Sequence, residues 1–248
     1  MRPRALPSLV AAAALLGPAS PPAAEPPAPR RVLFVGNSLT TAYDLPGMVA
    51  ALSRGAGDDP PLETETVAFG GFALEDHARE GSARAAIERG GWSFVVLQQG
   101  PSSQPDSRRN LVGESERIAA RIRAAGARPV LYMVWPSRAR SADFPGVAAS
   151  YRRATERVDG LLAPAGEAWR AAWKRDPSLE LYGEDGFHPS PLGTYLAALT
   201  VYSTLSGRDP VGLAGTLEMT WGKLALPPEL AARLQAAAAE ALAAEAGR

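Results

Sequence analysis

Apolar residues along this chain fall into short runs, separated by longer stretches in which they recur every three or four positions. The runs at 32–35, 67–69, 94–97 and 130–134 carry a β-branched bias, and each is followed by Gly, Pro or polar residues, the pattern of buried parallel strands. Between them, residues 45–54, residues 74–89 and the series Leu111, Ser115, Ile118, Ile122 ending at Gly126 have helical spacing. A further helix is predicted over 147–158, then a short strand at Leu161 and Leu162 and a helix over 167–174. Near the C-terminus, Ser190 before Pro191 is an N-cap signal. The series Leu192, Tyr195, Leu196, Leu199, Tyr202 and Leu205 then forms a 3.6-residue stripe that Gly207 stops. Pro227 and Pro228 open a last Ala- and Leu-rich helix, and residues 211–226 carry no pattern. Strand and helix alternate, so an open, doubly wound α/β sheet is the economical fold.

The 248 residues suffice for one sizeable core. Twenty-six basic residues balance 26 acidic ones, which leaves no electrostatic footprint for nucleic acid or an anionic membrane and favours a small or neutral partner. Arg2 and Arg4, the apolar stretch 9–16 and the small residues through Ala24 follow the layout of a secretory signal peptide. The domain expectation is therefore a signal peptide at 1–24, a Pro/Ala-rich leader at 25–30 and one domain over 31–248, with cleavage after Ala19 or Ala24 and a periplasmic or secreted product. The apolar stretch is too short to span a bilayer, which takes about 20 residues. Cysteine is absent, so disulfides, thiolate metal sites and lipidated cysteine are excluded.

In an open α/β sheet, ligands bind beyond the carboxyl ends of the strands. Three segments fall there: Gly36-Asn37-Ser38, Gly70-Gly71 and Gln98-Gln99-Gly100. A serine nucleophile also needs a base and an orienting carboxylate, and the chain has two histidines to offer. His188 stands in "EDGFHPSPLGTYLAA", three residues after Asp185. Pro189 disfavours helical geometry at His188, so a loop there can bring imidazole and carboxylate to one side. His77, within the helical stretch 74–89, reads as a structural histidine. Tyr43, Phe72, Trp135 and Phe187 lie beside the motif loops, as pocket lining or as core. Two histidines and no cysteine leave only carboxylate-rich metal sites, and no acidic spacing of that kind is present.

The Gly-Asn-Ser-Leu block after the first strand, the Gly block after the second, the polar block after the third and Asp-x-x-His-Pro near the C-terminus resemble the SGNH hydrolase superfamily, the GDSL-like esterases and lipases. The likeness spans about residues 31–210. It implies a flavodoxin-like three-layer α/β/α sandwich with a mostly parallel sheet of about five strands, and ester hydrolysis by a serine mechanism. Matched position by position, the resemblance implies Ser38 as nucleophile, Gly71 as oxyanion glycine, His188 as base and Asp185 as its orienter. Asn37 stands where many members carry Asp. The third block departs from the family's Gly-x-Asn-Asp, whose oxyanion Asn would fall at Ser102 and whose Asp would fall at Ser103. A Gln carboxamide offers the same N–H donor, so Gln99 is expected to complete the oxyanion hole with the Ser38 and Gly71 amides, ahead of Gln98 and then Ser102. The mechanism calls for no metal or organic cofactor, and the expected partner is a small-molecule or glycan ester. An acyltransferase with the same triad and a non-catalytic carbohydrate-binding protein are the alternative readings.

Overall fold

The computed structural model describes Met1 and residues 30–248, so the expected signal peptide and most of the leader lie outside the described residues. Strand β1 (Arg31–Gly36) leads through a one-turn helix α1 (Ser38–Thr41) into α2 (Leu45–Gly55). There follow β2 (Glu63–Ala68), α3 (Leu74–Glu80), α4 (Ser82–Arg89), β3 (Phe94–Leu97), α5 (Pro105–Ala124), β4 (Arg128–Tyr132), α6 (Phe144–Arg157), β5 (Leu161–Ala163) and α7 (Ala165–Arg175). The chain ends with α8 (Pro191–Ser206), a hairpin of β6 (Thr216–Met219) and β7 (Gly222–Ala225), and α9 (Pro228–Ala246). The first five strands pair in parallel in the order β2-β1-β3-β4-β5. Helices cover both faces, which makes the expected three-layer α/β/α sandwich.

Val32 to Val35 at the centre of the sheet are fully buried, as are Val95 and Leu97 on β3 and Val130 to Tyr132 on β4. A strand with helices on both faces buries both sets of side chains, which is why these runs are continuously apolar. The edge strand β2 differs. Its sequence ETETVA alternates, and its outer residues meet Arg31 and Arg89 in ion pairs with Glu63 and Glu65. The predicted run at 67–69 therefore overlaps only the last two residues of a longer strand, whose first residues are polar because they border solvent.

Three further boundaries differ from expectation. The single helix predicted at 74–89 is two helices, because Gly81 takes φ +97 and caps α3 with its N–H on the His77 carbonyl. That left-handed conformation is open to glycine and ends a helix. The stripe on α8 was expected on one face, yet α8 is buried almost all round, between the sheet and helices α2, α7 and α9. Its Thr200 hydroxyl donates to the Ala197 carbonyl at 2.8 Å, as buried polar groups require. Residues 211–226, which carried no pattern, contain the β6-β7 hairpin packed against α2.

Sheet register sets the site. Gly36 pairs with Ala68, and Val35 pairs with both Val67 and Leu97. The residues following those three strand ends, Asn37-Ser38, Phe69-Gly70-Gly71 and Gln98-Gln99, therefore emerge together at the carboxyl end of the sheet.

Candidate active site

Ser38 is the first residue of α1, directly after the Asn37 N-cap. The Asn37 Oδ1 accepts the Leu39 N–H at 3.0 Å, and its Nδ2 donates to the Phe72 carbonyl at 2.9 Å. One carboxamide thus caps the Ser38 turn and ties it to the loop that carries Gly71. A carboxylate at position 37 could accept from Leu39 but could not donate to Phe72.

The second histidine and its carboxylate arrive from a loop between α7 and α8. An isolated antiparallel bridge joins Tyr182 to Pro189, with Gly183 N–H on the His188 carbonyl at 2.8 Å and Ser190 N–H on the Leu181 carbonyl at 2.8 Å. The loop tip is held from outside by the Arg138 N–H on the Gly186 carbonyl at 2.8 Å and by the Trp135 indole on the Phe187 carbonyl at 3.0 Å. Within it, Asp185 Oδ1 accepts the N–H groups of Phe187 and His188, each at 2.9 Å, while Oδ2 faces His188 Nδ1 at 2.5 Å. His188 Nε2 lies 2.8 Å from Ser38 Oγ. An ionised carboxylate only accepts, so Nδ1 carries the proton and Nε2 presents its lone pair to the Ser38 hydroxyl. The His188 hydrogen bond, followed by the Phe187 N–H, lowers the Asp185 pKa to about 2. Asp185 is therefore a carboxylate throughout the neutral range. The structure thus brings Ser38, His188 and Asp185 into one hydrogen-bonded line.

Among the described residues, neither the Ser38 N–H nor the Gly71 N–H has a protein acceptor. Gly71 takes φ +76, and a Cβ built there would meet nothing within 4 Å, so backbone conformation rather than space calls for glycine.

The third block is arranged differently from the expectation. The Gln99 side chain is turned inward. Its Nε2 donates to Ser102 Oγ at 2.8 Å and to the Ser107 carbonyl at 3.2 Å, and its Oε1 accepts the Leu74 N–H at 3.1 Å. Both amide hydrogens are engaged, so in this arrangement Gln99 is not a free oxyanion donor. Ser102, at φ +59, is equally committed: its hydroxyl donates to the Gly100 carbonyl at 2.9 Å. Gln98 is fully buried beneath the Ser38 turn. Its Oε1 accepts from the Asn37 N–H at 2.9 Å and from the Thr40 hydroxyl at 2.8 Å. Chain order revealed that these residues follow the third strand, but not which way each carboxamide points.

Two contributors carried no sequence signal of this role. His77 is buried, and its Nε2 lies 2.7 Å from the Gly36 carbonyl, two residues before Ser38. Burial lowers its pKa, so the ring is neutral and donates from Nε2. The Tyr151 hydroxyl donates to the Gln99 carbonyl. Burial raises its pKa, which keeps the phenol protonated as that donor. Of the aromatic residues beside the motif loops, Trp135 is core, stacked on Trp169 at 3.6 Å, whereas Tyr43 is exposed and packs edge-on to Trp221 at 5.8 Å. Among the described residues no cluster of three or more acidic, His or Cys side chains could hold a metal ion.

Solved structures share this architecture. A protein from Slackia heliotrinireducens described as a candidate SGNH hydrolase is 32% identical, with a TM-score of 0.61, over 72% of this chain and 100% of its own. A DUF4886 family protein from Bacteroides uniformis is 17% identical, with a TM-score of 0.70, over 86% of this chain and 95% of its own. A variant of an acetyl-xylooligosaccharide esterase from Geobacillus stearmophilus is 12% identical, with a TM-score of 0.57, over 71% of this chain and 94% of its own. No protein-family model matches the chain, and no curated protein matches it. The identity to the Slackia protein over that protein's whole length, on this fold, shows that the chain belongs to the SGNH hydrolase superfamily, the GDSL-type hydrolases of ester bonds.

Proposed function

We propose that the protein is an exported serine esterase that removes short acyl groups, O-acetyl groups of carbohydrates foremost, through an acyl-enzyme on Ser38. The hydrogen-bonded line from Asp185 Oδ2 through His188 to Ser38 Oγ carries this reading. His188 Nε2 takes the hydroxyl proton as Ser38 Oγ attacks the ester carbonyl carbon, and the resulting oxyanion receives the Ser38 and Gly71 N–H groups. Each such donor is worth about 3 to 4 kcal/mol at the transition state. The imidazolium then returns its proton to the leaving alkoxide, and a water molecule repeats the sequence on the acyl-enzyme. Asp185 holds the imidazole tautomer and balances the imidazolium charge without itself taking the proton.

The carbohydrate part of the reading is supported by Tyr43, Phe69 and Trp221, whose rings are exposed. Tyr43 follows Ser38 by five residues and packs on Trp221, and Phe69 precedes Gly71 by two and packs on Phe72. The acetyl-xylooligosaccharide esterase among the structural neighbours is in keeping with it. Export rests on the leader pattern at 1–24.

A panel of acetylated glycans, peptidoglycan fragments and acyl esters of increasing chain length, run on the wild type and on Ser38→Ala, tests the proposal. Acetate release from glycans by the wild type alone is the expected result. Preference for long acyl chains, or acyl transfer to an acceptor glycan exceeding hydrolysis, would overturn the substrate assignment.

A further inference from the structure

The two glutamines of the third block have different partners: Gln98 meets the nucleophile turn, and Gln99 meets the starts of α3 and α5. Gln98 reaches under the nucleophile turn. Its Oε1 accepts both the Asn37 N–H and the Thr40 hydroxyl, the groups on either side of Ser38, and its Nε2 donates to the Gln99 carbonyl at 2.6 Å. All of these are interior: Gln98 and Thr40 are 0% and 1% exposed. Gly36 supplies an independent sign that this approach is built in. A Cβ there would lie 2.5 Å from Gln98 Oε1 and 2.3 Å from Thr40 Oγ1, so the glycine leaves the space in which the carboxamide oxygen sits. Gln99 reaches elsewhere, accepting the Leu74 N–H at the start of α3 and donating to Ser102 Oγ and to the Ser107 carbonyl in the first turn of α5.

We propose that Gln98 is a positioning residue for the nucleophile: its carboxamide oxygen fixes the Asn37–Thr40 turn so that Ser38 Oγ stands in line with His188. This inference rests on Ser38 being the nucleophile. The physical argument is one of satisfied groups. Only an acceptor at the Gln98 oxygen can satisfy the Asn37 N–H and the Thr40 hydroxyl together, since both are out of reach of water. With that acceptor removed, the turn relaxes toward other partners and Ser38 Oγ leaves its hydrogen-bond distance from His188. Misplacement by about 1 Å is enough to lower turnover about a hundredfold.

The test is Gln98→Met, which keeps length and volume but removes the acceptor, with two readouts on the full chain. The first is turnover of an aryl acetate: kcat is expected to fall about a hundredfold, with KM within about twofold. The second is amide hydrogen exchange of the peptide covering 36–41, expected to quicken while peptides from β3, β4 and α8 stay protected. Thr40→Val, which removes one of the two donors, should lower kcat several-fold, and Thr40→Ser, which restores the hydroxyl, should recover it. A Gln98→Met protein with wild-type kcat and unchanged exchange at 36–41 overturns the proposal. Should Gln98→Met fail to fold, the Thr40 pair decides: loss with Val and recovery with Ser supports the proposal, and equal activity in both overturns it. Should the wild type itself show neither turnover nor an organophosphonate adduct on Ser38, the Ser38 assignment falls, and the exchange of 36–41 still decides whether Gln98 holds the turn.

Discussion

His188 Nε2 lies 2.8 Å from Ser38 Oγ although 150 residues of chain separate them. One partner opens the one-turn helix that follows β1, and the other sits on a loop pinned by the Tyr182–Pro189 bridge and the Trp135 indole. Ser38→Ala and His188→Ala are each expected to lower kcat for an aryl acetate by about 10⁴-fold or more. Both sites are at least partly open to solvent, so thermal unfolding should stay close to that of the wild type. Steady-state assays alongside calorimetry check both expectations, and near-wild-type turnover in either variant would sink the assignment.

Asp185→Asn tests the tautomer argument. An amide can donate to Nδ1, which would leave the Nε2 proton facing Ser38, so kcat should fall about 10²- to 10⁴-fold. The stability consequence has a definite sign. The Asp185 pKa is about 2 in the folded protein against an ordinary value of 3.8, so its stabilising contribution is present above about pH 4 and disappears as pH falls toward 2. The difference in unfolding free energy between wild type and Asp185→Asn should accordingly shrink over that window. A difference that stays constant through it would contradict the carboxylate's hydrogen-bonded state.

Much of this arrangement is legible in the sequence for a physical reason. Buried central strands are continuously apolar, so β1, β3 and β4 announce themselves, and Asp-x-x-His-Pro is local enough to suggest a carboxylate and an imidazole on one loop. The edge strand β2 hides its first residues because Glu63 and Glu65 point to solvent. The break at Gly81 is marked by the glycine itself and by the gap from Ala78 to Ala83, which interrupts the helical spacing that the flanking stretches suggest. The glutamines were misread for a different reason. A Gln offers donor and acceptor at once, and only the tertiary neighbours decide where each points: the Gln98 oxygen meets Asn37 and Thr40, and the Gln99 amide hydrogens meet Ser102 and Ser107 instead of an open site.

Gly36→Ala follows from the close approach beneath the nucleophile turn. Its Cβ would fall within 2.3 Å of Thr40 Oγ1, well inside contact distance, and neither neighbour can move without breaking a buried hydrogen bond. Overpacking of this kind costs about 1 to 3 kcal/mol. Urea unfolding should show a lower midpoint with an unchanged slope. An unchanged midpoint would mean that the turn is looser than the contacts imply.

His77 gives the fold a pH dependence of opposite sense to that of a salt-bridged histidine. Burial lowers its pKa from the usual 6.5, so the unfolded chain takes up a proton before the folded one does. Stability is full above about pH 6.5 and declines as pH falls below it, down to the folded-state pKa. His77→Phe keeps the contacts with the rings of Phe69 and Phe72 but removes the titration. Thermal unfolding from about pH 7 to about pH 5 should therefore be flatter for the variant than for the wild type. Parallel curves would count against a neutral His77.

The chemistry assigned to Ser38 can be read without knowing the natural substrate. An organophosphonate offered to the wild-type protein should form one covalent adduct, mapped by peptide mass spectrometry to Ser38 and missing from His188→Ala under the same conditions. No adduct on the wild type, or an adduct on any other residue with Ser38 unmodified, would contradict a serine hydrolase mechanism at this site.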